Sequence, residues 1–232
     1  MSDDHFSLDD FNGLAKLFPL ANVVLFPGVI QPLHIFEGRY KELTADALAH
    51  DRLIAMALTN KSHSPSVFQS IRPTLCLGRI FQEDRLPNGR FNLLLHGVAR
   101  ARILQEVKSG KPYRLARVEV LQDIPPVSVA SARELREELG ERMAAWFSGH
   151  EASRDQILKL LKGDLTLGNL CDIFSFALPI DCSVKMELLE MLDVEDRAGL
   201  LISQVKRLPP LPREATPFPS NLRKYPCQFS DN

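Results

Sequence analysis

One segment of the chain, His150-Glu151, begins like the zinc-binding helix of metalloproteases. In that helix two histidines four residues apart bind the metal, and the glutamate between them acts as the base. The position of the second histidine is occupied by Arg154. One ligand is therefore missing, and we expect no zinc site at this segment.

Other local signatures of catalysis are also missing. The chain contains no Gly-x-Ser-x-Gly nucleophile elbow, no Gly-x4-Gly-Lys-Ser/Thr phosphate loop and no Cys-x-x-Cys pair. A catalytic cysteine and histidine from distant parts of the chain would leave no local signature, but no pattern favours such a pair. We expect no enzyme activity, no metal and no other cofactor.

The composition indicates a soluble, cytoplasmic protein. Hydrophobic residues make up 45% of the 232 residues, and the formal net charge is -1. The N-terminus is acidic, so we expect no secretory signal, and no apolar run approaches the ~18 residues of a membrane span. The four cysteines are far apart in sequence, which favours free thiols in a reducing compartment. They are Cys76, Cys171, Cys182 and Cys227.

Positive charge is concentrated in the middle of the chain. Residues 72–117 contain ten Lys or Arg and three Asp or Glu. One interpretation is a set of strands with solvated basic faces, and the other is a basic groove for an acidic peptide or RNA. For a peptide-binding groove the candidate contact residues are Arg79, Arg90, His96, Arg100 and Arg102.

Strand patterns dominate the first half of the chain. The apolar run 17–33 is broken by prolines, which we expect at strand ends or bulges. Residues 37–50 have helical spacing, and Leu53–Leu58 has the composition of a buried strand. Pro87-Asn88-Gly89 predicts a tight hairpin turn between two further strands, and Tyr113–Leu121 alternates like another strand. Gly97, within the second arm of the hairpin, indicates a bulge or a close backbone approach.

Helical spacing dominates after the Asp123-Ile-Pro-Pro segment. It predicts four or five short helices with apolar stripes, which would form a small bundle. We expect one of them to start at Ser183 as its N-cap and the next to start at Asp193. The predicted division is a flexible N-terminus (1–16), a β domain (17–124), a helical bundle (125–208) and an extended tail (209–232).

Four segments, in order, resemble the N-terminal substrate-binding domain of Lon proteases in its stand-alone bacterial form. They are LFPLANVVLFPG followed by PLHIFEGRYKEL, then LPNGRFNLLLHGVARARI, PYRLARVEVL and KMELLEMLDVEDRAGLL. The resemblance runs from about Leu17 to Arg207. It implies an α+β fold, in which a PUA-like β pseudo-barrel with one helix is followed by a small C-terminal helical bundle.

Within the matching segments we assign six residues a structural role: Pro27, Gly28, His34, Glu37, Arg39 and Gly97. We expect His34 to be a hydrogen-bonded structural histidine, and Glu37 to form an ion pair with an arginine of the hairpin strand, Arg100 being the first candidate. Phe18, Phe26 and Phe36 are expected in the core.

The resemblance also implies a function, which is recognition of unfolded or tagged protein segments. Lon proteases place an ATPase and a Ser-Lys protease domain after this domain, and neither is expected here. The first hypothesis is therefore a non-catalytic, peptide-binding adaptor, with a full-length ATP-dependent protease as a second partner. A free strand edge could bind an extended segment by strand addition. The alternative is an RNA-binding PUA-like module that uses the basic 72–117 surface. We expect no membrane partner and weigh nucleic acid below protein.

Overall fold

The structure is a computed structural model that describes residues 8, 10–60, 70–209 and 211. The described chain divides into two compact units, the first ending at Gln122 and the second starting at Asp123. The first unit is mostly β and the second is helical, which confirms the predicted α+β class. Within the described ranges, no helix is long and apolar enough to span a bilayer.

The first unit is a six-stranded sheet with one helix. In chain order its elements are β1 (Leu14–Leu20), β2 (Ile30–Ile35), α1 (Gly38–Ala49), β3 (Leu53–Thr59), β4 (Ile71–Arg85), β5 (Phe91–Val107) and β6 (Arg114–Val120). The strand order is β2-β5-β4-β3-β1-β6, and a further pairing of β5 with β6 closes five of these strands into a barrel. β1 starts before residue 17, inside the segment predicted to be a flexible N-terminus.

Small and aliphatic side chains fill the barrel. A closed sheet of few strands has a narrow interior, so alternate inward positions must carry compact residues. The alternation of the β-strands supplies them. The buried cluster consists of Ala15, Leu17, Ala55, Ala57, Leu75, Leu77, Ala101, Ala116 and Val118.

The hairpin turn between β4 and β5 is where the Asn-Gly pair predicts it. Asn88 and Gly89 have φ angles of 64° and 67°, the left-handed region that these two residue types tolerate best. The Leu86 N–H donates to the Arg90 carbonyl across the turn (2.9 Å). The hairpin aligns two long strands, and β5 is long enough to pair with β2, β4 and β6.

The second unit is a bundle of five helices. They are α2 (Val129–Trp146), α3 (Glu151–Lys162), α4 (Leu167–Ala177), α5 (Cys182–Glu190) and α6 (Val194–Arg207). α6 starts directly after Asp193, close to the predicted start, and the Asp193 carboxylate caps it by accepting the N–H groups of Glu195 and Asp196. The predicted cap Ser183 is wrong: α5 starts one residue earlier, with Asp181 as its N-cap. The predicted tail, 209–232, lies outside the described residues except for Pro209 and Leu211.

Candidate functional site

A pocket of about 440 Å³ opens in the first unit, where the end of β1, most of β2 and the start of α1 meet. Apolar and aromatic side chains line it together with several polar ones, which could orient a ligand. The residues that line it are Phe18, Pro19, Leu20, Asn22, Val23, Gln31, Pro32, Leu33, His34, Ile35, Phe36, Glu37, Arg39 and Tyr40.

Two strand edges line this pocket. Among the described strands, β2 pairs only with β5. β1 pairs with β6 from Leu14 to Leu17, but its last residues, Phe18 to Leu20, pair only with β3. The sheet is therefore open on both sides of the pocket, at β2 and at the end of β1.

Each open edge carries a proline. The Val29 carbonyl accepts the Gly97 N–H (2.8 Å), and successive strand residues face opposite sides. The backbone of Pro32, three residues further along, therefore faces away from β5 and toward the open edge. The same alternation applies to β1. The Gly13 carbonyl accepts the Val118 N–H of β6 (2.9 Å), so every second residue after Gly13 faces the β6 side. Pro19 is one of these residues, and at its position β6 no longer pairs with β1, so Pro19 faces the open edge. Because proline has no N–H, neither position offers a donor.

Tyr40 forms the floor of the pocket. Its side chain is only 7% exposed, and its ring lies 4.3 Å from the ring of Phe18, between centroids. The guanidinium of Arg39 lies 4.5 Å from the centroid of the Tyr40 ring. No described residue makes a hydrogen bond with the Tyr40 hydroxyl, and burial raises the pKa of this phenol. The hydroxyl is a polar group that the folded protein leaves to solvent or to a ligand.

His34 and Phe36 form the rim. Their rings are nearly parallel, with centroids 6.1 Å apart, and the Phe36 side chain is 51% exposed. His34 Nδ1 is hydrogen-bonded to Asn92 Oδ1 across the β2–β5 pair (2.7 Å), so the expected hydrogen bond of His34 is confirmed. The expectation that Phe36 is in the core is wrong, whereas Phe18 and Phe26 are buried.

Glu37 and Arg39 pair with each other at the start of α1. Arg39 donates from Nε (3.0 Å) and Nη2 (2.8 Å) to Glu37 Oε2. The expected ion pair of Glu37 with an arginine of the hairpin strand, Arg100 first, is wrong: Glu37 pairs with Arg39, and Arg100 is buried on β5 opposite Cys76. The spacing of two residues at the helix start puts the closer arginine within reach, and the resulting pair adds no net charge to the pocket.

The remaining three structural residues shape the turn that leads into β2. Gly28 has a φ of +77° directly after Pro27, as a type II turn requires, and the Val29 N–H closes that turn on the Phe26 carbonyl (3.3 Å). A Cβ at Gly97 would lie 2.0 Å from the Phe26 carbonyl oxygen. The backbone approach expected at Gly97 is therefore confirmed, and it holds this turn against β5.

The five basic residues predicted for peptide contact do not line the pocket. Arg79 and His96 lie opposite each other on β4 and β5, and Arg79 donates to the Asp51 carbonyl (3.2 Å). Both are half-buried, and burial lowers the pKa of His96. Arg90 is exposed beside the hairpin turn, and Arg102 is exposed on the far half of β5. With Arg100 buried, the structure does not gather the five into one surface.

Two further basic residues of the 72–117 stretch are engaged within the protein. Lys111 Nζ lies 2.7 Å from an Asp46 carboxylate oxygen, and Arg114 pairs with Glu106. Among the described residues, no group of three or more His, Cys, Asp or Glu could bind a metal.

Sequence patterns alone did not identify the pocket. Its central residues, Phe18, Phe36 and Tyr40, belong to three different segments that meet only in the fold. One signal was present: Leu33 and Ile35 alternate with His34 and Phe36, which puts the two aromatic rings on the face opposite the buried one.

A family model described as the substrate-binding domain of ATP-dependent protease La (Lon) matches residues 15–207. The Lon protease of Trichlorobacter lovleyi is 27% identical over 186 residues, which cover 78% of this chain and 22% of that protein. The Lon protease of Cytophaga hutchinsonii is 30% identical over 120 residues, covering 51% and 14%. The chain thus spans only a small part of the length of these curated relatives.

Solved structures show the same fold. The N-terminal domain of Mycobacterium avium complex Lon protease matches with a TM-score of 0.65 at 18% identity, covering 83% of this chain and 98% of that domain. The Lon N-terminal domain protein from Xanthomonas campestris matches with a TM-score of 0.57 at 21% identity, covering 82% and 97%. Since the family match extends over most of its length, this chain belongs to the family of Lon substrate-binding domains.

Proposed function

We propose that the chain is a non-catalytic module that binds unfolded or tagged protein segments. The observation that carries the proposal is the family match, since the matched domain is described as substrate-binding. The pocket between the open edges of β1 and β2 is the candidate binding site, because it combines apolar and polar side chains with a hydroxyl that has no partner among the described residues.

The proposal assigns no ATPase or protease activity to the chain. Those activities belong to Lon proteases as whole proteins, and the matched part covers 22% of the relative from Trichlorobacter lovleyi. We propose instead an adaptor role, in which the module presents clients to a full-length ATP-dependent protease in the cytoplasm.

Protein is favoured over RNA as the ligand. Three of the basic residues are engaged within the protein: Arg100 is buried, and Lys111 and Arg114 pair with carboxylates. Fewer free cations mean fewer phosphate contacts and less counterion release.

A direct binding measurement tests this proposal. A fluorescently labelled, permanently unfolded protein and a single-stranded RNA are titrated with the purified chain at low and at physiological salt. We expect saturable binding of the unfolded protein at both salt concentrations, because apolar burial is not screened by salt. Binding of RNA alone, lost steeply as salt is added, would reject the proposal.

A further inference from the structure

The exposed edges of the pocket are poor in hydrogen-bond donors. Pro19 and Pro32 face the two open sides and lack N–H groups. The Pro32 carbonyl accepts a hydrogen bond from Gln31 Nε2 (2.8 Å), so its acceptor is partly occupied as well. A client strand laid along β2 would meet an interrupted ladder at its centre. Proline and a side chain folded over the edge are devices by which natural sheets prevent strand addition.

The Tyr40 hydroxyl is a polar group of the pocket that has no partner among the described residues and is reached by solvent. The Tyr40 side chain is buried except for 7% of its surface and lines the pocket. A ligand that excludes solvent from the pocket must replace the hydrogen bond of this hydroxyl to water, because leaving it unsatisfied would then be costly. A phenol whose pKa is raised by burial stays protonated, so it can donate its O–H to an acceptor that enters the pocket.

The rim of the pocket offers an apolar contact and carries no net charge that would favour a charged ligand. Half of the Phe36 side chain is exposed beside His34, and Glu37 and Arg39 neutralise each other. The pocket, of about 440 Å³, lies within the volume range of ligand-binding pockets and has room for one large side chain. This combination selects an uncharged, bulky apolar residue rather than an acidic or basic one.

Resting on the proposed function, we propose that Tyr40 and Phe36 determine the client specificity of this module. A bulky apolar side chain of an extended, unfolded segment packs against Phe36. The backbone carbonyl of that segment accepts the Tyr40 O–H. The client is held by this side chain and this single hydrogen bond, and not by extension of the sheet.

Fluorescence anisotropy with a short labelled peptide, carrying one central phenylalanine among serine and threonine residues, tests this mechanism. Tyr40→Phe keeps the ring packing and removes the hydroxyl. We expect it to weaken binding about fivefold, the loss of one net hydrogen bond. Phe36→Ala should weaken binding roughly tenfold or more through lost apolar contact. A peptide N-methylated at alternate residues, which cannot donate to a strand edge, should bind the wild-type chain unchanged.

A matched control is available on β4. Phe81 is 54% exposed, like Phe36, but does not line the pocket, so Phe81→Ala should leave the affinity unchanged. Circular dichroism and thermal unfolding establish that each variant is folded. Equal affinities of Phe36→Ala and Phe81→Ala, or unchanged affinity of Tyr40→Phe, would overturn the assignment while leaving the proposed function standing. Loss of binding on N-methylation would instead support strand addition. Failure of the wild-type chain to bind any unfolded probe would sink the proposed function itself.

Discussion

Individual residues are constrained most where two backbones touch. Gly97 lies against the Phe26 carbonyl, and a Cβ there would lie 2.0 Å from the oxygen and 2.8 Å from the carbon. Since both atoms belong to the backbone, no side-chain rotation relieves the overlap. The turn that precedes β2, and with it the edge of the pocket, depends on this glycine.

Replacement of Gly97 therefore has a specific expected cost. We expect Gly97→Ala to lower the free energy of unfolding by about 3 kcal/mol, because it overpacks a rigid contact. Urea denaturation followed by circular dichroism measures this change. Gly199→Ala is the control: it lies in the exposed interior of α6 with no atom within 4 Å of the added Cβ, and should stabilise by about 0.5–1 kcal/mol. Equal changes in unfolding free energy for the two substitutions would show that Gly97 is not packed tightly against the Phe26 carbonyl.

Pairs of elements are joined by a few polar contacts. Asp46 on α1 accepts the Tyr113 O–H at the start of β6 (2.5 Å) and pairs with Lys111 (2.7 Å). The hydrogen bonds from Lys111 and then from Tyr113 lower the pKa of Asp46 below its ordinary value of 3.8. They connect α1 to the strand that closes the barrel.

The depressed pKa of Asp46 predicts a pH-dependent contribution to stability. A carboxyl group whose pKa is lower in the folded state stabilises the protein above its unfolded pKa, and this stabilisation is lost as the pH falls through the folded pKa. We expect Asp46→Asn to be less stable than the wild type near neutral pH. The difference should shrink as the pH is lowered below about 4. Urea unfolding over this pH series measures it, and a difference independent of pH would refute the assignment.

In the second unit, Arg197 of α6 joins three segments. Its guanidinium is fully buried and donates to Asp123 (2.6 and 3.0 Å), to Asp172 of α4 (3.3 Å) and to the Met191 carbonyl (3.0 and 2.8 Å). Asp172 is itself almost completely buried. Removal of the arginine would leave a buried carboxylate without its cation.

Replacement of Arg197 is therefore expected to be severe. We expect Arg197→Met to cost about 3–5 kcal/mol of unfolding free energy, because breaking one side of a buried pair strands the other charge. The control is Arg142→Met, which removes an exposed arginine 3.8 Å from Glu138 and should change stability by less than about 0.5 kcal/mol. Thermal unfolding of both variants distinguishes them, and a mild effect at Arg197 would show that the bundle tolerates the unpaired charge.

At the scale of the whole molecule, the boundary between the two units follows from the contacts of Asp123 and Ile124. Asp123 binds Arg197, and Ile124 exchanges backbone hydrogen bonds with Leu192 (2.9 Å) and Val194 (3.1 Å). Both residues therefore make their contacts within the helical unit, although the sequence composition predicted the domain boundary after residue 124. We propose the start of the second domain at Asp123.

Two fragments test this boundary. We expect a fragment of residues 123–211 to unfold cooperatively, and a fragment of residues 125–211 to be less stable by about 3 kcal/mol, since it lacks the carboxylate of Asp123 that compensates a buried guanidinium. Chemical denaturation of the two purified fragments gives the comparison. Equal midpoints would place the boundary after Ile124 instead.

Much of the local structure was determined by the sequence itself. Asn88-Gly89 predicts the hairpin because two successive residues need positive φ, and the helical spacing that begins at Asp193 predicts the start of α6. The resemblance to Lon substrate-binding domains also rests on sequence segments in order. These signals succeed because each depends on the neighbouring residues alone.

Only the tertiary structure decided where the candidate site lies. Phe18, Phe36 and Tyr40 come together because the register of β2 on β5, and of β1 on β3, leaves two edges open beside α1. The partners of Glu37 and Arg197 were equally hidden from the sequence. Long-range contacts of this kind depend on strand register, bulges and burial summed over the whole fold, and a charge or an aromatic ring has many possible partners until that fold is formed.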